Sequence, residues 1–328
     1  MLGKKLGIDL GTNTVRVIAR GESAVIVEPT VVALADNGWE CLGFGARAGE
    51  VAEERSGVRL VRPVAGAVLE RAATEALLAQ VVARAVGRQR IFKPDAVATV
   101  SPAMSGAHRR ALLDALCRAG IRTAYLVDTP LAAAIGAGLR VDTPEGVLVI
   151  DVGAGTVEVA VLAREARLAG STSARAGAAL TGALGDAVSR AVGAKLAPGA
   201  AEQVKLELAA LPVGQEERRL TVETVEGRPV AASSQMIDAE VDAWAHAAAM
   251  QVAAVLEDTP TPVLDLLHRS GGVLTGAGAR LPGLERYLSD AAGLPIRLAA
   301  DPDTATLRGC SVALDNLDML KRNLLYIR

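Results

Sequence analysis

The sequence predicts an α/β protein built twice on one plan. A short apolar strand ending near a carboxylate, Asp9, is followed by a small-residue turn, Gly11-Thr-Asn13, and a second strand. The same order recurs at Asp151, with the turn running to Thr156 and an alternating strand behind it. Elsewhere, apolar runs of strand length alternate with segments of helical spacing, the pattern of α/β folds. A repeated strand-turn-strand motif predicts two related domains facing one cleft.

In chain order, β-rich runs at 5–10 and 14–20 flank the first turn and read as a hairpin. Residues 25–34 continue as extended apolar chain, and the turn chemistry of Ala35-Asp-Asn-Gly38 separates them from a short strand at 39–42. Residues 43–66 are richer in Gly, Arg and Glu and form a small excursion from the main sheet. Leu77, Leu78, Val81, Val82 and Ala85 recur at helical spacing, which predicts a helix over 69–86 closed by Gly87. A strand at 96–100 leads to a helix that Ser105 can cap and Gly120 ends. A strand at 124–127, a small-residue helix at 131–139 and a fully apolar strand at 147–150 follow, the last suited to a sheet centre. After the second turn come a strand at 157–162 and, beyond Gly170, helices at 178–192 and 201–211. A strand pair at 219–225 and 228–232 precedes a long helix over 238–256. The strand 272–275, the turn Gly276-Ala277-Gly278 and a helix over 281–292 lead to a last strand at 295–298 and a helix over 304–317.

Composition bounds the function classes. A chain of 328 residues is long enough for about two domains with real cores. Apolar residues at 51% and charged residues at 22% exclude a disordered chain. Lys+Arg 35 against Asp+Glu 37 leaves a formal charge of -2, and neither Trp39 nor Trp244 lies in a basic-aromatic pattern, so no nucleic-acid partner is expected. The most hydrophobic run, 146–163, is interrupted by Asp151 and Glu158, which argues against a membrane span. Asp9 falls where a signal peptide needs its apolar stretch, so a cytoplasmic protein is expected. Cys41, Cys117 and Cys310 are far apart, and His108, His246 and His268 lack metal-ligand spacing.

The two repeated units have the chemistry of a phosphate cradle. Glycines let backbone N–H groups approach phosphate oxygens, Thr hydroxyls add donors, and an Asp at a strand end can hold a hydrated Mg²⁺. Asp9 with Gly11, Thr12 and Asn13 is one unit; Asp151 with Gly153, Gly155 and Thr156 is the other. Either unit alone also describes an ordinary glycine hairpin. The pair, joined by a third glycine turn ahead of a helix at Gly276 and Gly278, points to a nucleotide and its metal.

Together these segments resemble the actin, sugar-kinase and heat-shock-chaperone ATPase superfamily, and most closely the bacterial actin homologues of the MreB/Mbl family. The matching stretches are Gly7 to Thr12, Glu28 to Ala33, Val61-Arg-Pro63, Pro130-Leu-Ala-Ala-Ala-Ile-Gly-Ala-Gly138, Asp151 to Val161 and Leu274 to Leu284, in the family's order across nearly the whole chain. The resemblance implies an actin-like, ribonuclease H-like fold. Domain I would comprise residues 1–139 plus 301–328, with a small subdomain at 35–66; domain II would comprise 140–300, with a small subdomain at 179–250. ATP or ADP with Mg²⁺ would lie between them. On the family pattern Asp9 and Asp151 hold the metal, while Gly11, Thr12, Asn13, Gly153, Ala154, Gly155 and Thr156 line the phosphates. Gly177, Glu202, Lys205 and the Gly276-Ala277-Gly278 turn then contact the rest of the nucleotide, and Asp151, Thr129 and Thr156 stand at the catalytic positions. Glu202-Gln-Val-Lys205 matches a helix that flanks the adenosine in the family, a spacing shared with ordinary i,i+3 surface pairs.

Departures from the family pattern fall on the chemistry. The first loop is one residue shorter than in MreB-like proteins, Ala154 replaces a glycine, and Val157 replaces a threonine. Thr129 stands where a carboxylate orients the attacking water, beside Asp128, and Ala178 and Ala179 stand where the superfamily has an acidic residue near the ribose. At most a slow ATPase is expected. Ile91 and Phe92, rimmed by Arg88, Arg90 and Lys93, occupy the place where the family carries two apolar side chains that enter the inner membrane leaflet. Such a pair suits an anionic lipid surface; the alternative is that both lead the next strand into the core.

The resemblance thus implies a cytoskeletal filament former at the inner face of the cell membrane, working in cell shape or wall synthesis. Its partners would be itself, inner-membrane lipids and wall-synthesis or morphogenetic membrane proteins. A sugar kinase calls for a larger substrate domain and a dedicated Asp base, and a chaperone-type ATPase for a substrate domain beyond residue 328. A nucleotide-binding scaffold that recruits partners without appreciable turnover remains the alternative.

Overall fold

The computed structural model describes residues 3–36, 38, 40–87, 92–164, 166–316 and the backbone of 325–327. The chain divides into two compact units, one made of Met1–Thr143, Arg164–Ala166 and Asp303–Arg328, the other of Pro144–Ala163 and Arg167–Pro302.

The first unit opens with β1 (Lys5–Leu10), β2 (Thr14–Ala19), β3 (Val25–Pro29), β4 (Val32–Ala35), β5 (Cys41–Phe44), α1 (Arg47–Glu54), β6 (Val58–Val61), β7 (Val64–Ala65) and β8 (Val68–Leu69). It continues through α2 (Arg71–Val86), β9 (Asp95–Val100), α3 (Gly106–Arg118), β10 (Thr123–Asp128) and α4 (Thr129–Gly136). The second unit holds β11 (Val147–Val152), β12 (Val157–Ala163), β13 (Ala166–Ser173), α5 (Gly177–Val192), α6 (Ala200–Leu208), β14 (Arg219–Glu223), β15 (Pro229–Ser233), α7 (Asp238–Glu257) and α8 (Thr261–Ser270). Then come β16 (Gly272–Thr275), α9 (Leu284–Ala292) and β17 (Ile296–Leu298), before α10 (Ala305–Asp315) and β18 (Leu325–Ile327) return to the first unit.

The repetition seen in the motif extends to the sheets. The first unit's main sheet has the order β18-β10-β9-β1-β2-β3 and the second unit's β13-β12-β11-β16-β17. In each, three consecutive strands lie side by side, and two further strands add in parallel on the open side of the first one. Each sheet has its own core. Leu6, Ile8, Leu77, Leu112 and Leu126 anchor the first, and Leu148, Ile150, Leu184, Ile237 and Leu274 the second. Each such side chain contributes about 1.5–3 kcal/mol on burial.

Local chemistry explains several helix ends. The Ser105 hydroxyl accepts from the His108 N–H at 3.2 Å, the Glu70 carboxylate caps α2, and Gly87 closes that helix at φ 65°. Three expectations need correction. Residues 25–34 are two strands in different sheets, broken at Thr30, where the Thr30 N–H donates to the Asn13 carbonyl. The chain after Gly170 is not directly helical, since it is still in β13. The last part of the predicted 281–292 helix is α9, which starts only at Leu284, after a short 3₁₀ turn at Ala277–Arg280 that begins within the glycine turn. Among the described residues no helix is long and apolar enough to cross a membrane.

Candidate functional site

The two strand turns share one backbone design. In the first, Leu10 pairs with Val15 and the Gly11 N–H donates to the Thr14 carbonyl at 3.1 Å; in the second, Val152 pairs with Val157 and the Gly153 N–H donates to the Thr156 carbonyl at 2.8 Å. A Cβ on Gly11 would lie 2.9 Å from the Thr14 oxygen, and one on Gly153 would lie 3.1 Å from the Thr156 oxygen. A side chain at Gly11 would therefore force the turn backbone to shift, and one at Gly153 would meet it tightly, before any ligand is considered. Both turns place four residues between the last paired positions of their strands, so the short first loop equals the second.

Asp9 is the penultimate residue of β1, as Asp151 is of β11, and is 9% exposed. Thr99 on β9 donates to Oδ1 at 3.0 Å, and Thr306 on α10 donates to Oδ2 at 3.0 Å. Burial raises its carboxyl above the ordinary 3.8, opposed by the Arg16 guanidinium and by the Thr306 and Thr99 hydroxyls. Asp151 lies inside β11, is 5% exposed, and accepts from Thr275 on β16 at 2.8 Å. Each carboxylate thus takes a hydroxyl from the neighbouring parallel strand. The first-turn side chains are also engaged: Thr12 Oγ1 accepts from the Gly66 N–H at 3.1 Å and Asn13 Oδ1 from Arg62 Nη1 at 3.4 Å.

The third glycine turn packs on β11 beside Asp151. Gly276 has φ 84°, its N–H donates to the Pro302 carbonyl at 3.0 Å, and a Cβ on it or on Gly278 would overlap Val152. Ala277 begins the short 3₁₀ turn that follows. Close backbone approach accounts for both glycines.

On the other side of the second turn, the start of α5 docks on it. The Gly177 N–H donates to the Gly153 carbonyl at 3.0 Å and the Ala178 N–H to the Ala154 carbonyl at 2.8 Å. Glu202 and Lys205 on α6 reach the same place: Lys205 Nζ lies 2.8 Å from Glu202 Oε2 and 3.9 Å from where a Gly177 Cβ would stand. The structure therefore gathers Asp151, Gly153, Ala154, Gly155, Thr156, Gly177, Glu202, Lys205 and the Gly276-Ala277-Gly278 turn within the second unit, and Asp9, Gly11, Thr12 and Asn13 within the first. Thr129 is the first residue of α4. Its neighbour Asp128 forms an ion pair with Arg109 at 3.0 Å. Val157 is 1% exposed and apolar, so the second turn has no hydroxyl there. Ile91 lies outside the described residues; Phe92 is 49% exposed, which overturns the alternative that it enters the core.

Taken unit by unit, each buried aspartate is a hard oxygen donor of the kind Mg²⁺ accepts, held in place by a threonine hydroxyl. An ion that keeps most of its waters needs only such single carboxylates.

Sequence reasoning missed Arg16, Thr99, Thr181, Glu158, Thr275 and Thr306. Arg16 and Glu158 were within reach, because each stands seven residues after its aspartate, across a hairpin whose loop length fixes the register.

Comparison with known proteins accords with this geometry. The sequence profile described as MreB/Mbl protein matches residues 3–322. The chain is 30% identical to the cell shape-determining protein MreB of Escherichia coli (strain K12), covering 97% of this chain and 95% of that protein. It is 27% identical to the cell shape-determining protein Mbl of Bacillus subtilis (strain 168), covering 98% and 99%. Among solved structures, it resembles MreB5 of Spiroplasma citri bound to AMPPNP, with a TM-score of 0.85 at 21% identity over 98% of this chain and 99% of that one. It also resembles the MamK double helical filament, with a TM-score of 0.78 at 20% identity over 95% and 99%. With a family profile spanning nearly its whole length laid over a duplicated actin-like fold, the chain belongs to the MreB/Mbl family.

Proposed function

We propose that this chain is an ATP-binding, cell shape-determining filament former that works at the inner face of the cell membrane. The observation that carries the reading is the family match over residues 3–322 together with two strand turns of one design, each with a buried aspartate. Similar proteins lend support, since the MreB5 structures hold AMPPNP and ADP and MamK forms a double helical filament.

In this reading the two glycine turns bring backbone N–H groups to the phosphates, and Asp9 and Asp151 hold the water shell of Mg²⁺. The ion, when bound, neutralises phosphate charge. Glu202 and Lys205 flank the nucleoside. Assembly runs head to tail in a heterologous geometry that does not close, so a filament rather than a ring results. Turnover is slow, because Thr129 cannot serve as a carboxylate base and Asp128 is held by Arg109.

Calorimetric titration with ATP and Mg²⁺, followed by pelleting and negative-stain microscopy of the same sample, tests the reading. Saturable binding and concentration-dependent pelleting are expected. A strictly monomeric protein at tens of micromolar overturns it. Ala154, Val157 and Thr129 favour a second reading, a nucleotide-bound scaffold without turnover, which predicts filaments and bound ATP but no phosphate release.

A further inference from the structure

We propose that Thr181 is a positioning residue that fixes the Glu202–Lys205 pair for nucleotide recognition. The inference rests on the nucleotide-binding reading above and adds a residue to it. Thr181 lies one helical turn after Gly177 on α5, on the same face, and is partly buried. Lys205 Nζ donates to its Oγ1 at 2.9 Å. The hydroxyl lies 2.7 Å from Glu202 Oε2 and 2.9 Å from the Gly177 carbonyl, so its single proton has two acceptors within reach.

The pair needs such a partner. Glu202 is 43% exposed and Lys205 is 18% exposed. An i,i+3 ion pair of that exposure is held weakly by its own attraction, since water screens it and two long side chains must be ordered together. Thr181 adds a short, β-branched group on a packed helix, with little freedom to lose. It contacts both members at once, and its alternative acceptor, the Gly177 carbonyl, belongs to the residue whose N–H is bonded to the Gly153 carbonyl at 3.0 Å. The position of the pair is thereby referred to the second glycine turn through one hydroxyl. Gly177 completes the arrangement, because a side chain there would press on the Gly153 carbonyl, 3.2 Å from its Cβ, against which the start of α5 docks. A valine at 181 keeps the shape and removes the hydroxyl; a serine keeps the hydroxyl.

The test is ATP affinity with Mg²⁺, measured by calorimetry on the full chain, for wild type, T181V, T181A and T181S, with ligand-free melting temperatures alongside. Expected are a loss of about 5- to 10-fold in affinity for T181V and T181A, as for removal of one hydrogen bond near charged groups, recovery to within about twofold for T181S, and unchanged ligand-free melting. In a K205M background the T181V effect should shrink to below about twofold, because the two act together. If wild type binds ATP and T181V binds it equally well, this inference fails and the nucleotide reading stands. If T181V and T181A lose affinity only in step with a lower melting temperature, Thr181 is merely structural and the inference fails. If wild type binds no ATP, both fail.

Discussion

Asp9 stands directly opposite Arg16 in the β1–β2 ladder, with Arg16 Nη1 3.7 Å from Asp9 Oδ2. The same step in the second unit puts Glu158 opposite Asp151. One backbone design therefore sets a guanidinium across from the aspartate in its first copy and a second, almost fully buried carboxyl group in its second.

The Asp9 environment predicts a pH dependence. Burial holds its folded pKa above 3.8, so the folded protein binds that proton more tightly than the unfolded chain. This contribution to stability is fully present below 3.8 and is lost as the pH rises through the folded value. Asp9→Asn removes the titration, while the amide can still accept from one threonine hydroxyl and donate to the other. Nucleotide-free Asp9→Asn should melt above wild type at neutral pH, with the gap closing toward acid, and should bind ATP with Mg²⁺ less tightly. Parallel melting curves across that range would show that Asp9 does not carry the effect.

A second expectation concerns the small-residue stretch before Gly138. It lies on α4, which packs against α10, and the two helices approach through reciprocal glycines. A Cβ on Gly136 would overlap the Ala305 carbonyl, and one on Gly309 would overlap the Ala132 carbonyl. Arg308 closes the contact, donating to the Gly136 carbonyl at 3.0 Å and to Thr304 Oγ1 at 2.7 Å. Gly→Ala in an unhindered helix stabilises by about 0.5–1 kcal/mol. Here overpacking reverses the sign, and each substitution should cost about 1–3 kcal/mol in chemical denaturation. A gain in stability from either would contradict the contact.

What the sequence disclosed follows from how local each signal is. Hairpins such as β1–β2 were legible because a two-residue period and a glycine turn sit within a few residues of each other. The carboxylate ends were legible for the same reason. Their hydroxyl partners were not, since Thr99, Thr275 and Thr306 arrive from strands and a helix 90, 124 and 297 residues away in the chain. The helix α8 was missed because Pro260 and Pro262 bracket its start and read as a turn, although proline in a first turn is itself a helix signal. Strand β13 was missed because its residues, Ala166–Ser173, alternate little and sit at the sheet edge.

Thr129→Glu should raise phosphate release. The substitution puts a carboxylate at the start of α4, and the native neighbour cannot substitute for it, since Asp128 is paired with Arg109 at 3.0 Å. A positioned base typically contributes about 10²- to 10⁴-fold. A gain of about tenfold or more over wild type, with ATP affinity little changed, is the expected outcome of a single-turnover phosphate assay. No gain would place the limit elsewhere, first at Ala154 and Val157.

Membrane attachment is the last expectation. Phe92 is 49% exposed, as a core residue would not be, and Lys93 beside it is exposed as well. Burying one such side chain in lipid is worth about 1.5–3 kcal/mol, and each nearby Lys or Arg adds about 1 kcal/mol at an anionic surface. That holds a single subunit weakly. Many copies on one filament act together, so binding should depend on assembly. Liposome flotation of wild type, Phe92→Ser and Ile91→Ser with Phe92→Ser should therefore decline in that order, most clearly with anionic vesicles, low salt and ATP. The single variant matters because it tests the exposed aromatic without altering Ile91. Equal flotation of all three proteins removes these residues from any role at the membrane, while a loss that salt does not modulate keeps the apolar insertion and discards the basic rim.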